Sequence, residues 1–215
     1  MPQNVLEQIG RFRIVPIVTI DHAAHAEPMA DALIAGGLPL AEITLRTDAA
    51  LEAIATLAKR ADFLIGAGTI LNIEMAKRAV DTGAKFLVTP GLNEKVVRYC
   101  VEQKIPITPG VATPTEIEMA LDCGLNVVKF FPAESLGGLK TIKHLSGPYP
   151  MIRFMPTGGV GPENVGEYLK FSKIHACGGS WMASKELLAA RQFERMKELA
   201  QQAVQMVRDA AGGGK

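Results

Sequence analysis

A single lysine, Lys129, interrupts the apolar run NVVKFFP at residues 126–132. An ammonium group among so few polar neighbours is poorly solvated, and desolvation favours the neutral amine of a lysine. A neutral amine can attack a carbonyl carbon and form a Schiff base. The ordinary alternative is a lysine that extends its ammonium to the surface or pairs with a carboxylate such as Glu42. Lys129 is therefore a candidate nucleophile, with the structural role left open.

The segment AEITLR at residues 41–46 carries two further charges in a strand-like pattern. Because side chains alternate along a strand, Glu42, Thr44 and Arg46 share one face and the apolar residues between them share the other. A carboxylate near an amine can supply the proton transfers that Schiff-base chemistry requires. Arg46 can hold a substrate carboxylate by two parallel hydrogen bonds. A buried structural pair of Glu42 and Arg46 is the alternative.

Two glycine-rich segments near the end of the chain, PTGGVGPEN at 156–164 and CGGSW at 177–181, can approach an anion closely. Paired glycines expose backbone N–H groups, and neighbouring hydroxyls add donors. Each segment alone is equally typical of a tight turn, but together they favour a phosphate site. The predicted phosphate residues are Thr157, Gly158, Gly159, Gly178, Gly179 and Ser180.

Short apolar segments, each followed by a helical pattern, recur along the whole chain and predict strands. The eight predicted strands are residues 13–20, 41–46, 62–67, 85–90, 105–110, 126–131, 152–157 and 173–178. Their spacing of about 23 residues is typical of a βα unit. We therefore predict an α/β fold, a (β/α)8 barrel (TIM barrel) that forms one domain over residues 1–215, with a doubly wound sheet as the alternative.

The two ends of the chain predict helices outside this repeat. NVLEQIG at 4–10 predicts a short helix before the first strand, and residues 184–210 predict one long amphipathic helix that covers the barrel. The final GGGK is predicted to be a frayed end. In such a barrel the active site lies at the carboxyl ends of the strands, which is where Arg46, Lys129 and the glycine segments would meet.

Composition and charge argue against several classes of function. The chain has 23 basic and 22 acidic residues without runs of one sign, which disfavours a nucleic-acid or anionic-membrane surface. No apolar stretch is long enough to span a membrane, so a cytoplasmic protein is expected. His22 and His25 lack a third ligand, so no metal site is predicted. The three cysteines show no zinc or disulfide pattern and are expected to be reduced and packed.

Taken together, the motifs resemble one family of enzymes along nearly all of residues 5–205. They are GLPLAEITLRT (37–47), GAGTIL (66–71), VTPGLN (88–93), TPGVATPTE (108–116), GLNVVKFFPAESLGG (124–138), MPTGGV (155–160) and CGGSW (177–181). This set closely resembles the 2-keto-3-deoxy-6-phosphogluconate aldolases of the Entner-Doudoroff pathway, which often also act on 4-hydroxy-2-oxoglutarate.

The resemblance implies a role for each matching residue. Lys129 corresponds to the Schiff-base lysine and Glu42 to the general acid/base. Arg46 and Thr69 correspond to the groups that hold the pyruvyl carboxylate. Pro90 and Phe131 correspond to the walls of the pocket. The phosphate residues named above correspond to the family's phosphate-binding residues.

The implied reaction is an aldol cleavage without metal or other cofactor, in which a phosphorylated 2-keto-3-deoxy sugar acid yields pyruvate and glyceraldehyde 3-phosphate. The resemblance also implies a homotrimer. A same-family enzyme that prefers the 6-phosphogalactonate epimer or 4-hydroxy-2-oxoglutarate remains an alternative. A barrel that only binds a phosphorylated metabolite is a further alternative, although such a protein has no evident use for the pair Glu42 and Lys129.

Overall fold

The computed structural model describes residues 2–212, which form parallel strands covered by helices. The strands are β1 (Ile14–Val18), β2 (Leu40–Thr44), β3 (Leu64–Gly68), β4 (Leu87–Val88), β5 (Ile107–Thr108), β6 (Gly110–Val111), β7 (Val127–Phe130), β8 (Arg153–Pro156) and β9 (Cys177–Gly179). The α-helices are α1 (Pro2–Phe12), α2 (Ala26–Ala35), α3 (Ala50–Leu57), α4 (Ile73–Asp81), α5 (Glu94–Glu102), α6 (Pro114–Asp122), α7 (Gly138–Ser146), α8 (Val165–Lys170), α9 (Lys185–Ala189) and α10 (Phe193–Gly212).

The strands pair in parallel and form two curled sheets. One sheet has the order β5-β4-β3-β2-β1-β9, and the other has the order β6-β7-β8. Isolated parallel bridges join Phe154 to Ile174 and Thr157 to Gly178, so the end of the second sheet lies beside the last strand of the first. The predicted α/β class with a helix-covered parallel sheet is confirmed.

The predicted fifth strand is interrupted rather than continuous. Residue 109 is a proline between β5 and β6, and a proline cannot donate a hydrogen bond to a neighbouring strand. Its carbonyl nevertheless accepts from the Lys129 N–H at 2.8 Å, which ties β7 to this segment. The break therefore leaves Lys129 anchored by its backbone.

Capping residues fix where two of the helices begin after their strands. The Asn72 side chain accepts from the Met75 N–H at 2.8 Å at the start of α4. At the start of α6, Thr113 and Glu116 form a reciprocal capping box. These caps end the loops that follow β3 and β6, and such loops build the carboxyl-end face of the sheet.

The core lies between the strands and the helix layer and is filled by apolar side chains. Phe86, Phe130 and Phe154 are fully buried there. Cys100, Cys123 and Cys177 are free and buried, as the sequence predicts. Burial raises the pKa of the Cys177 thiol to about 12, so this group is packed rather than reactive. No helix within residues 2–212 is long and apolar enough to cross a membrane.

The prediction of one long helix over residues 184–210 is wrong, because the structure has two helices there. Helix α9 ends after Ala189, and α10 begins at Phe193. Between them Arg191 has φ of 52°, its N–H donates to the Leu188 carbonyl, and the Gln192 N–H donates to the Leu187 carbonyl. This is the hydrogen-bond pattern of a Schellman C-cap, formed here without glycine. The predicted frayed tail falls mostly on residues 213–215, which lie outside the described residues.

Candidate active site

A cavity of about 340 Å³ opens at the carboxyl ends of the strands. Its walls come from β1, β2, β7 and β9 and from the segments that follow β2, β7, β8 and β9. The predicted site residues that line it are Glu42, Arg46, Lys129, Phe131, Thr157, Gly158, Gly159, Gly178, Gly179 and Ser180. The fold thus brings together residues that are far apart in sequence.

Glu42 on β2 and Lys129 on β7 face each other across this cavity. Their Oε1 and Nζ atoms are 3.6 Å apart, and their side chains are only 2% and 8% exposed. At that separation the two groups form an ion pair but not a hydrogen bond. The buried Glu42 Oε1 has no hydrogen-bond partner among the described residues. It is therefore an acceptor that a group inside the cavity can use.

Gly68, the last residue of β3, leaves the space that the Glu42 carboxylate occupies. A Cβ on Gly68 would lie 1.9 Å from Glu42 Oε1 and 2.7 Å from Glu42 Cδ. The parallel register places Glu42 opposite Gly66 and Thr44 opposite Gly68. A glycine at position 68 therefore sets the direction in which the Glu42 carboxylate points.

The Lys129 amine is nearly buried and lies beside an aromatic ring. Lys129 Nζ lies 5.2 Å from the centre of the Phe131 ring. The neighbouring Phe130 is fully buried, and the whole of β7 is buried. This packing keeps the amine largely out of water, with Glu42 as its charged neighbour.

Arg46 stands at the rim of the cavity and is held from the side. Its Nε donates to Thr69 Oγ1 at 3.2 Å, and Thr69 adopts a φ of 60° just after β3. Thr69 itself does not line the cavity and reaches it only through Arg46. Pro90 does not line the cavity either, and its carbonyl packs beside Gly110. The sequence prediction therefore places these last two residues closer to the cavity than the structure does.

The two glycine segments line the same cavity as Arg46. Gly158 and Gly159 have φ values of 95° and 79°, a backbone conformation that favours glycine. Gly178 packs so closely against Thr157 that a Cβ on it would lie 2.4 Å from Thr157 Oγ1. The bridge between Thr157 and Gly178 holds the two segments side by side. Both predicted halves of the phosphate site thus meet in one place.

Sequence reasoning did not select several residues that line the cavity. Thr44 lies on the same strand face as Glu42, and its Oγ1 is 2.8 Å from Thr19 Oγ1. The alternation of AEITLR already predicts that Thr44 shares the face of Glu42, but that pattern assigns Thr44 no role at the site. Lys185 also lines the cavity and pairs with Asp21 at 3.0 Å. No pattern marks Lys185, because it lies at the start of a short helix beyond the glycine segment.

No cluster of three or more histidine, cysteine or acidic side chains that could hold a metal ion occurs within residues 2–212. His22 and His25 make an edge-to-face ring contact with a centroid distance of 5.4 Å. Burial, followed by the charge of Arg191, lowers the pKa of His25. These two side chains are outside the cavity lining.

Comparison with known proteins gives one consistent result. The family model described as KDPG and KHG aldolase matches residues 5–199. A 2-dehydro-3-deoxy-phosphogluconate aldolase from Haemophilus influenzae is 45% identical over 207 residues, which cover 96% of this chain and 98% of the relative.

Two solved structures have the same fold over nearly the same length. The 2-keto-3-deoxy-6-phosphogluconate aldolase of Zymomonas mobilis ZM4, solved with 3-phosphoglycerate, has a TM-score of 0.86 and 39% identity, covering 93% of this chain and 94% of its own. The KDPG aldolase from Legionella pneumophila, with pyruvate captured as a covalent carbinolamine intermediate, has a TM-score of 0.89 and 35% identity, covering 94% and 97%.

Proposed function

The chain belongs to the KDPG and KHG aldolase family and is an aldolase, a lyase, and from that premise we propose its substrate and mechanism. We propose that it cleaves 2-keto-3-deoxy-6-phosphogluconate to pyruvate and glyceraldehyde 3-phosphate through a Schiff base on Lys129. The observation that carries this proposal is the buried pair of Glu42 and Lys129 in a cavity that ends in two glycine segments. A protein that only binds a metabolite needs the glycine segments but has no use for that pair.

Lys129 acts as the nucleophile. Its neutral amine adds to the C2 carbonyl and forms a carbinolamine, which loses water to give an iminium. The iminium accepts the electron pair of the C3–C4 bond as that bond breaks, and an enamine of pyruvate remains. Support comes from the relative in Legionella pneumophila, in which pyruvate was captured as a covalent carbinolamine.

Glu42 moves the protons of this reaction. The carboxylate takes the proton of the C4 hydroxyl as the aldehyde leaves, directly or through one water, and a proton then returns to C3 of the enamine. Hydrolysis of the resulting iminium releases pyruvate and restores the amine. The buried Oε1, which lacks a hydrogen-bond partner among the described residues, is the acceptor that this role requires.

Arg46 binds the substrate carboxylate next to the C2 carbonyl. The bond from Arg46 Nε to Thr69 leaves the two terminal nitrogens of the guanidinium for a carboxylate. We assign Thr69 to positioning Arg46, and Phe131 and Pro90 to the walls that orient the ketone. Phe131 lines the cavity, whereas Pro90 would act from behind it.

The glycine segments bind the phosphate of the substrate. Thr157 and Ser180 add hydroxyl donors to the backbone N–H groups of Gly158, Gly159, Gly178 and Gly179. Lys185, which sequence reasoning missed, adds a cation at this side of the cavity. Since a phosphate monoester carries close to two negative charges near neutral pH, a cation beside the neutral donors strengthens its binding.

The finer architecture is also a proposal. We propose that the two sheets close into the (β/α)8 barrel, supported by the two bridges that join β8 to the segment of β9 and by the continuous chain through Pro109. We further propose a cytoplasmic homotrimer that needs no metal, on the basis of the family resemblance. Light scattering coupled to size exclusion tests the trimer, and chelator-insensitive release of pyruvate tests the metal-free reaction.

The second candidate substrate is 4-hydroxy-2-oxoglutarate, because the matching family model names both KDPG and KHG aldolases. The 6-phosphogalactonate epimer is a related possibility. Measurement of kcat/KM for the two epimers and for the unphosphorylated acid decides among them. A preference for the unphosphorylated acid would contradict the substrate proposed above and leave the Schiff-base mechanism intact.

The experiment that tests the mechanism traps the covalent intermediate. Borohydride added together with pyruvate should reduce the iminium and leave a stable adduct on Lys129, which peptide mapping locates. Lys173 is the matched control, because it is a lysine whose Nζ donates to the Pro150 carbonyl outside the cavity. An adduct on Lys173 or on any residue other than Lys129 would refute the proposed nucleophile, and so would the absence of an adduct.

A further inference from the structure

A second cavity, of about 270 Å³, lies at the opposite end of the parallel strands from the candidate active site. Three arginines line it: Arg11 at the end of α1, Arg13 just before β1, and Arg153 at the start of β8. His175 lines the same cavity just ahead of β9. We name this cavity the amino-end cavity, since the strands around it begin there.

Arg13 is the fixed element of the amino-end cavity. Its two terminal nitrogens donate to the carbonyls of Ile174 and Leu169 at 2.5 and 2.6 Å. Arg13 also adopts a φ of 64°, so its backbone accepts a conformation that non-glycine residues rarely take. Carbonyl groups orient a guanidinium but do not neutralise it. Arg13 therefore keeps its full positive charge in a half-buried position.

No acidic side chain within residues 2–212 forms an ion pair with the arginines of this cavity. None of the ion pairs found among the described residues includes Arg11, Arg13 or Arg153. Glu7 also lines the cavity, but it is exposed on α1 and forms none of these pairs either. A partly desolvated cation without a counter-ion is unfavourable, and an anion that binds beside it removes that cost.

His175 adds a neutral polar surface rather than another charge. His175 is buried, with 3% of the residue exposed, and its Nε2 lies 2.8 Å from the Leu6 carbonyl. Burial, followed by the charges of Arg153 and Arg13, lowers the pKa of His175, while the bond to Leu6 opposes this shift. Gly10 lets α1 approach the ring, because a Cβ there would lie 2.6 Å from His175 Cε1. Helix α1 thus closes one wall of the cavity against a neutral imidazole.

From this arrangement we propose that the amino-end cavity is a binding site for a small phosphate-bearing anion, separate from the active site. Arg13 and Arg153 supply the planar guanidinium groups that match phosphate oxygens, and Arg11 closes the site from α1. The volume admits a compact anion. The site is independent of the substrate proposed for the other cavity.

Calorimetric titration with inorganic pyrophosphate tests this proposal. Arg153→Gln is the main variant, because the Arg153 side chain is exposed and makes none of the side-chain hydrogen bonds found among the described residues, while its backbone N–H, which donates to the Asn126 carbonyl, is kept in the variant. Arg208→Gln is the matched control, because Arg208 is an exposed arginine on α10 that does not line either cavity. Both variants keep the same active site, so binding of pyrophosphate there is common to them and to the wild type.

We expect Arg153→Gln to weaken one class of pyrophosphate site by about 10-fold, the size of a lost charge-assisted contact, while Arg208→Gln leaves it unchanged. The rate of the pyruvate adduct without pyrophosphate should be the same in all three proteins. If Arg153→Gln fails to fold, Arg11→Gln tests the same prediction from α1. Equal affinity in the wild type and the cavity variants overturns the proposal, and so does an equal loss in the Arg208→Gln control.

Discussion

Two cavities at opposite ends of the same parallel strands both present cations, but they hold them in different ways. At the carboxyl end, Lys129 faces the carboxylate of Glu42 at 3.6 Å. At the amino end, Arg13 is held by backbone carbonyls alone. A lysine can lose its proton and attack a carbonyl, whereas an arginine stays charged. A lysine beside a carboxylate therefore suits the carboxyl end to covalent chemistry, and an arginine held by carbonyls suits the amino end to binding.

The largest effect should follow from changing the lysine that makes the carboxyl end reactive. Lys129→Arg keeps a positive charge beside Glu42 but removes the nucleophilic amine, so we expect the rate of aldol cleavage to fall by about 10⁴-fold or more. Pyruvate release is the measurement. Lys173→Arg, outside both cavities, should keep the wild-type rate.

Circular dichroism decides whether a loss in Lys129→Arg is chemical, because a larger guanidinium in a buried site can strain the fold. A folded Lys129→Arg protein that still releases pyruvate at a tenth of the wild-type rate would show that the two ends do not differ as described. The adduct would then have to form elsewhere.

A smaller loss should follow from removing the base and keeping the nucleophile. Glu42→Gln retains the size of the side chain but cannot accept the C4 hydroxyl proton, so we expect turnover to slow by about 100-fold. The borohydride-trapped pyruvate adduct on Lys129 should persist. Comparison of adduct yield with steady-state rate measures both effects in one preparation, and a near-normal rate would remove Glu42 from the mechanism.

The sequence predicts the carboxyl end better than the amino end, for a physical reason. The alternation of AEITLR places Glu42 and Arg46 on one face, and the fold then brings them to Lys129. Charges inside apolar strands are conspicuous. Arg13 and Arg153 lie just before or at the start of strands, where solvated charges are ordinary, so their convergence appears only in three dimensions.

Two other features could not be predicted from the sequence because they depend on backbone geometry. The break between α9 and α10 rests on Arg191 in a left-handed conformation, and arginine gives no signal for it as glycine would. Thr69 and Pro90 belong to motifs at the ends of strands, but neither residue lines the cavity. Thr69 contacts Arg46, and the Pro90 carbonyl packs beside Gly110. Motif position predicts the end of the strand more reliably than the direction of a side chain.

Two glycines, one at each end of the strands, leave space for a buried titratable side chain, and replacing each by alanine gives a matched test. Gly68→Ala pushes the Glu42 carboxylate aside, and we expect kcat to fall by about 10-fold because misplaced groups react slowly. Gly10→Ala displaces the His175 ring, and we expect it to lower the free energy of unfolding by about 1–3 kcal/mol without changing kcat. Turnover and urea unfolding of both variants are the measurements.

The opposite pattern of effects would contradict the assignment of catalysis to the carboxyl end of the strands alone. A Gly10→Ala protein that is stable but slow would assign the amino end to catalysis. Gly166→Ala is the control for the general effect of an added methyl group, since nothing lies within 4 Å of a Cβ at that position.

The smallest predicted effect concerns Lys185, a partly exposed cation among the residues that line the carboxyl-end cavity. The side chain is 51% exposed and pairs with Asp21 at 3.0 Å, so its contribution to phosphate binding is screened by solvent. Lys185→Gln should therefore raise KM for the phosphorylated substrate by about 5-fold and leave kcat unchanged, since the lysine lies away from the reacting carbons. The KM for 4-hydroxy-2-oxoglutarate, which has no phosphate, should not change. Lys170→Gln is the control, because Lys170 is similarly exposed and paired with Glu167 on α8. An equal rise in KM for both substrates would show that Lys185 supports the rim of the cavity and does not contact the phosphate.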